Sequence, residues 1–326
     1  MQDFVHLHVH TYYSILDGQS SIQKLVDKAV ADGMRGMAIT DHGDMFGIKE
    51  FWDCCASVNS KRKKEGLEPF KPILGCEMYV AHHRKEDRAG KEDRSGYHLI
   101  VLAKNYQGYK NLIKLVSNSW TDGFYMRPRT DRYDLERHRE GLIVCSACIA
   151  GEVPSKILKG DIAGAREAVE WHKRVFGDDY YLELQRHEVK DPHIRANRET
   201  FPLQQQANKV LIELAREYGV KLVCTNDAHF VDQENAEAHD HLLCLSTGKD
   251  LDDPTRMLYS KQEWFKTRAE MNEVFADVPE ALANTAEVLD KVELYSIEHA
   301  PIMPFFPIPE DFGTEEQWRA KFTEEQ

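Results

Sequence analysis

The run Phe4-Val-His-Leu-His-Val-His10 constrains this chain more than any other. Its alternation predicts a strand with Val5, Leu7 and Val9 on one face and His6, His8 and His10 on the other. Each neutral imidazole has two ring nitrogens to satisfy, so three neighbours on one face make a costly core. Two environments accommodate the pattern. One is a solvated strand face; the other is a divalent metal, for which imidazole is a common ligand.

The 326 residues suffice for one large domain or two ordinary ones, and 42% hydrophobic residues suit a soluble globular protein. No apolar run approaches the roughly 20 residues of a membrane span. The strand pattern begins so close to Met1 that no signal peptide is expected. Seven cysteines, an odd number, read as reduced thiols in a cytoplasmic protein. The net charge of −13 argues against a surface that coats nucleic acid in general. It leaves room for a nuclease whose acidic groups are neutralised by bound cations. Positive charge concentrates at Lys61–Lys64, in 84–94 and from Arg127 to Arg139.

Helical spacing follows Ser20 and Ser21 and stops at Gly33; a buried strand over 37–40 then ends in Asp41-His42-Gly43. Further strands are expected at 72–80, 98–103, 141–148, 180–185 and 221–226. Helices are expected at 47–65, after 103, at 161–176 and at 203–218, with 121–140 irregular. Seven strands with helices between most of them predict a parallel sheet closing into a distorted barrel. No G-x-G-x-x-G follows any strand to mark an open dinucleotide-binding sheet. Beyond residue 230, helices are expected at 233–245, 262–276 and 279–292. Residues 301–309 read as an extended connector, and the charged start of a helix at 314–326 suggests a fragment of a longer chain.

In such a barrel, ligands gather where strands end. Strand ends offer His8, His10, Asp41, His42, Glu77, Cys148, Asp227 and His229, with Asp17 close behind the first strand. His98 opens its strand, so it reaches the same mouth only if 76–80 and 98–102 pair as a hairpin. Recurrence of His and carboxylate pairs on distant strands favours the metal reading.

The stretches His-Leu-His-Val-His-Thr, Ile-Thr-Asp-His-Gly, Gly-Cys-Glu and Thr-Asn-Asp-Ala-His resemble the motifs of the polymerase and histidinol phosphatase (PHP) domain. Tyr-Tyr-Ser-Ile-Leu-Asp-Gly, Tyr-His-Leu-Ile-Val-Leu-Ala and Tyr-Leu-Glu-Leu-Gln-Arg-His resemble the version at the N-terminus of bacterial DNA polymerase III alpha subunits. The resemblance implies an α/β fold, a distorted (β/α)7 barrel of the PHP type with extra C-terminal helices. It implies a PHP domain over 1–285, then a connector and the start of the polymerase palm over 286–326. It further implies up to three divalent ions (zinc, manganese or iron) held by His8, His10, Asp17, His42, Glu77, His98, Cys148, Asp227 and His229. Asp17, Glu77, Asp227 and a Cys148 thiolate contribute −4 against +6 from three such ions, leaving +2 for anionic oxygens.

Asp227, His10 and Glu77 are the expected catalytic residues. Arg186, His187, Arg127 and Arg129 are candidate substrate contacts, and Asp41 is a substrate contact or an orienter of its neighbours. His6 matches no ligand position. Cys145 and Cys148 could form a redox pair or zinc knuckle, but no second pair follows at zinc-ribbon spacing. His82, His83, His239 and His241 are expected at the surface. The implied partners are a DNA 3′ end, the remaining polymerase domains, a proofreading subunit and other replisome proteins, with no membrane. Three functions compete: a 3′–5′ proofreading phosphodiesterase, a small-molecule phosphatase, and a structural module that uses the ions as cross-links. An amidohydrolase would share His-x-His but not the set Glu77, His98 and Cys148.

Overall fold

The strands form because short, wholly apolar runs can be covered on both faces. All four residues of β1 (Gly36–Ile39) are buried, as are nine of ten in β2 (Lys71–Val80). The computed structural model describes residues 1–189, 195–307 and 309–322. Further strands are β3 (Tyr97–Ala103), β4 (Arg129–Thr130), β5 (Leu142–Cys145), β6 (Tyr180–Gln185) and β7 (Lys221–Thr225), and the sheet runs β1-β2-β3-β5-β6-β7 with β4 beside β2.

The sheet is mixed, not parallel throughout. β3 runs antiparallel to both β2 and β5, whereas β1–β2, β5–β6 and β6–β7 are parallel. The reason lies in the connection: 81–96 holds a single 3-10 turn and no crossover helix, and a parallel pair needs a crossover. The hairpin required for His98 is therefore present, with Tyr79 opposite His98.

Residues 4–10 are extended but form no regular strand, because the chain bends at Leu7 and His8. They bridge the two ends of the sheet. The N–H groups of Ala38 and Thr40 donate to the carbonyls of His6 and Val9 (both 2.8 Å), while His10 N–H donates to Ala228 (2.7 Å) and Ala228 N–H to His8 (3.2 Å). The bend also separates the histidines. His6 turns into the core, its ring 4.0 Å from that of Phe265 and its Nε2 2.8 Å from the Lys266 carbonyl. Burial holds its pKa at about 3.

Helices α1 (Ile22–Ala31), α2 (Ile48–Lys64) and α3 (Tyr106–Thr121) follow the expected pattern. The stretch expected to be irregular holds β4 and α4 (Arg132–Arg137), and α5 (Glu152–Leu158) precedes α6 (Ile162–Phe176). Next, α7 spans Arg195–Tyr218, earlier than expected, and α8 spans Ala236–Thr247. The long helix expected at 262–276 is reduced to α9 (Arg268–Val274), capped by Thr267 and Glu270. Val288 and Leu289 of α10 (Pro279–Lys291) join Val5, Ile73, Ile100 and Val223 in one core. The first compact unit therefore runs from Met1 to Tyr295; a boundary at 285 would cut that helix. The second unit, Ser296–Gln326, contains α11 (Glu315–Arg319), and Ile308 of the expected connector lies outside the described residues. Among the described residues no helix is long and apolar enough to cross a membrane. All seven cysteines are free.

A buried histidine away from the sheet's mouth sets an acid limit. In α6, His172 stacks on Tyr180 (4.9 Å, 15°) and donates from Nδ1 to the Ala168 carbonyl. Burial lowers its pKa from 6.5 to about 4, against the pull of Glu152. Between those values the unfolded chain takes a proton that the folded one refuses. Its contribution is thus flat above pH 6.5 and falls as pH drops to 4, by at most about 3 kcal/mol. Urea unfolding of wild type and His172→Phe across pH 4–7 should show a shallower acid limb in the variant. Parallel limbs would contradict this assignment.

Candidate metal centre

The bend at residue 8 directs His8 and His10 into the mouth of the sheet, where His42, Glu77, His98, Cys148, Asp227 and His229 also converge. Glu77 is the common neighbour. Its Oε2 lies 3.2 Å from His8 Nε2, 3.0 Å from His10 Nε2 and 3.0 Å from His42 Nδ1. Its Oε1 lies 2.7 Å from His98 Nδ1, which is 3.7 Å from Cys148 Sγ. Asp227 Oδ1 faces His8 and His10 at 3.0 and 3.2 Å. Asp17 Oδ2 lies 2.9 Å from His42 Nε2 and 3.6 Å from His229 Nε2.

Three donor groups share these residues: His8, His10, Glu77 and Asp227; His10, His42 and His229; and His42, Glu77 and His98. Within each, the donor atoms lie within 4.8 Å of one another. A direct test of fit is whether the atoms satisfy each other. They do so only in part: His8 Nε2, His10 Nε2, His42 Nδ1 and Asp227 Oδ1 are buried and lie 3.0–3.2 Å from one another or from Glu77, yet none has a partner in hydrogen-bond geometry. Buried polar atoms are rarely left so, and four of them aimed at one space suit a cation.

The electrostatics agree. Burial alone would depress His8, but Asp227, Glu77 and Glu183 hold its pKa well above the usual 6.5. Against burial, Asp17 and Asp227 lift His229 to about 9. Burial and the neighbouring His42 and His229 lower His10. Conversely, despite burial, the surrounding imidazoles keep Glu77 and Asp227 well below the carboxylate range. Burial raises the Cys148 thiol, with Glu77 and Asp227 adding to the rise. Without cations the site would have to recruit protons onto its imidazoles.

Neighbours outside the donor groups choose the tautomers. Glu183 Oε1 accepts from His8 Nδ1 at 2.8 Å, leaving Nε2 with its lone pair. Ser14 Oγ lies 2.8 Å from His10 Nδ1 and 2.7 Å from Asp41 Oδ1. Because the carboxylate accepts the serine's one proton, Ser14 accepts from His10 Nδ1–H, and Nε2 again faces inward. His229 Nδ1–H donates to the Asp227 carbonyl at 2.8 Å.

The nine residues from strand ends and the first turn are thus brought together. Asp41 is 2% exposed, and its carboxylate accepts from Thr11 and Ser14. Arg127 is exposed, its guanidinium 5.6 Å above the Tyr79 ring beside the cluster. Three other expected substrate contacts are engaged within the protein. Arg129 is fully buried and bonds the carbonyls of Gly123, Lys85 and Asp87. Arg186 pairs with Asp277 and lines a separate cavity of about 980 Å³ with Lys209 and Trp264. His187 is buried against Asn226, Gln204 and Glu263. His239, expected at the surface, is 1% exposed and packs 5.6 Å from the His229 ring. Glu183 was missed; its signal is a carboxylate inside an otherwise apolar strand.

The chain is 43% identical to the DNA polymerase III subunit alpha of Borreliella burgdorferi, over 95% of this chain and 26% of that protein. It is 38% identical to that of Treponema pallidum, over 97% of this chain and 25% of that protein. The chain thus spans about a quarter of the length of these relatives. Among solved structures, a histidinol phosphate phosphatase from Lactococcus lactis, complexed with zinc, L-histidinol and phosphate, aligns at 13% identity. That alignment has a TM-score of 0.34 and covers 77% of this chain and 95% of that one. The family profile of the PHP domain matches residues 6–187, more than half of the sequence and all but two of the nine converging residues, and on that ground the chain belongs to the PHP domain family.

Proposed function

We propose that this chain is the PHP domain of a bacterial replicative polymerase alpha subunit and that it hydrolyses phosphodiesters at a DNA 3′ end. The observation that carries the reading is the set of orphaned, inward-facing donor atoms around Glu77. His8, His10, Glu77 and Asp227 would hold one divalent ion, and Glu77, His98 and Cys148, with His42, a second. Asp17 and His229, with His42 or His10, would hold a third. Zinc, manganese or iron suits this mixture of imidazole, carboxylate and thiolate better than magnesium does. When bound, such ions supply activation of water near neutral pH and charge neutralisation for in-line displacement at phosphorus.

The chain's own residues set the terms of that chemistry. Glu183 and Ser14 present lone pairs and not protons at His8 Nε2 and His10 Nε2. Arg127 offers a cation beside the cluster for a phosphate oxygen. The acidic balance of the whole chain leaves general DNA binding to other parts of the polymerase. A proofreading subunit and other replisome proteins are the further partners, and the compartment is the cytoplasm.

Three measurements test this. Elemental analysis should find up to three transition-metal ions per chain in wild type and fewer in the His8→Ala, His10→Ala double variant; equal metal content would remove the cluster. Glu183→Gln, which weakens the hold on the His8 tautomer, should lower metal affinity about 10- to 100-fold in competition with a chelator. Finally, Asp227→Asn should abolish release of 3′ nucleotides at temperatures where the variant is still folded. A lower melting temperature with equally negligible DNA hydrolysis in both proteins would instead favour a purely structural use of the ions. Ready cleavage of phosphomonoesters with an untouched DNA end would favour a small-molecule phosphatase.

A further inference from the structure

Three large aromatic side chains stand in a row at the surface. Phe46, Trp120 and Phe124 leave 57%, 43% and 45% of their area to solvent. The Trp120 ring lies 5.5 Å from Phe124 at 22° and 6.3 Å from Phe46. Contiguous exposed rings of this size mark binding surfaces more often than idle ones.

Trp120 ties the row to the turn beside the cluster. Trp120 Nε1–H donates to the Gly43 carbonyl at 2.8 Å, one residue from His42. Gly43 has φ +65° and packs on Pro128 so closely that an added Cβ would come 2.7 Å from Pro128 Cγ. Arg127 crosses the Tyr79 ring, which stacks on His42 at 5.9 Å and meets His98 edge-on at 5.2 Å. Behind the row, buried Arg129 ties Gly123 to Lys85 and Asp87. The rings are therefore held by the same turn that positions His42.

Charge identifies the occupant. Among the described residues Arg127 forms no ion pair, and exposed Arg88 bonds the Asp122 carbonyl at 3.2 Å. Asp122, two residues before Phe124, faces Lys85 at 3.9 Å. A ligand must then offer flat apolar faces to the rings and an anion to Arg127, next to a cluster suited to phosphodiesters. A single DNA strand does both, since every base has a π face and every linkage a negative charge. An apolar protein segment would cover the rings but leave Arg127 unmatched.

We propose that Phe46, Trp120 and Phe124 form a stacking shelf for unpaired bases of a single DNA strand, with Arg127 on the adjoining phosphate. This rests on the reading of the cluster as acting on a DNA 3′ end, and it adds the surface that holds the strand.

The test uses this 326-residue chain and a fluorescein-labelled oligothymidylate. Trp120→Ala would also disturb the Gly43 turn, so Phe124 carries the experiment. Phe124→Ala should weaken binding in fluorescence anisotropy by about 5- to 150-fold, the range for one lost base–aromatic stack, while Phe124→Tyr should bind as wild type does. In hydrolysis, Phe124→Ala should raise KM for the oligonucleotide at unchanged kcat. Equal anisotropy curves for wild type and Phe124→Ala, or no binding by wild type, would overturn the shelf. Phe124-dependent binding without any hydrolysis would support the shelf and remove the phosphodiesterase reading. Hydrolysis of 3′ ends with Phe124-independent binding would do the reverse.

Discussion

One buried carboxylate, Glu77, lies within 3.2 Å of nitrogens from His8, His10, His42 and His98. Four imidazoles around a group that is 1% exposed cannot be a neutral packing solution. The arrangement demands shared positive charge, and the fold is shaped to bring that about. β2 carries Glu77 past the end of β1 to His42, and β3 must return antiparallel to put His98 beside it. The extended segment 4–10 must bend before His8, or His6 would enter the cluster in place of the core. Donors from residues 8 to 229 then meet, so cations bound there would cross-link the two ends of the sheet, and removing them would leave mutually repelling groups in its mouth.

The site was more legible in sequence than the sheet. Paired His and carboxylate residues at strand ends announce themselves, because polar side chains there interrupt otherwise apolar runs. The direction of β3 was not legible from periodicity, which is the same for either orientation. His98 gave the one clue, as a polar residue opening a strand instead of closing it. β4 was hidden by its length of two residues: no alternation can be read from Arg129-Thr130. The bend at Leu7 was hidden for the opposite reason, since regular alternation from Phe4 to His10 concealed a change of face that backbone bonding to Ala38 and Ala228 imposes.

Charged residues misled where their partners were distant in sequence. Arg186 directly follows a strand, and Arg129 stands in an arginine-rich stretch, where phosphate contacts would be expected. The guanidinium of Arg129 instead collects carbonyls from 81–88 and 121–123, and that of Arg186 meets Asp277, ninety-one positions away. Sequence gives the cation but not the acceptors that claim it. Arg127, two residues from Arg129, differs only in that Pro128 and β4 turn it outward over Tyr79. The buried arginine is then what allows the exposed one to stand beside the cluster.

Backbone conformation carries the same logic further. Among the described residues five other than glycine adopt positive φ: Leu16, Met126, Ala147, Asp227 and Lys261. Such a conformation costs about 1–3 kcal/mol at each position and persists only when its surroundings impose it. Three of the five immediately precede Asp17, Arg127 and Cys148, and a fourth is Asp227 itself. Relaxing Asp227 from φ +47° toward an extended strand would redirect its carboxylate away from His8 and His10, and would lift its carbonyl from His229 Nδ1. The left-handed turn thus orients one donor through its side chain and a second through its main chain. Strain concentrated at these four places, in a sheet otherwise built of ordinary buried strands, is what it costs the backbone to aim these side chains at one another.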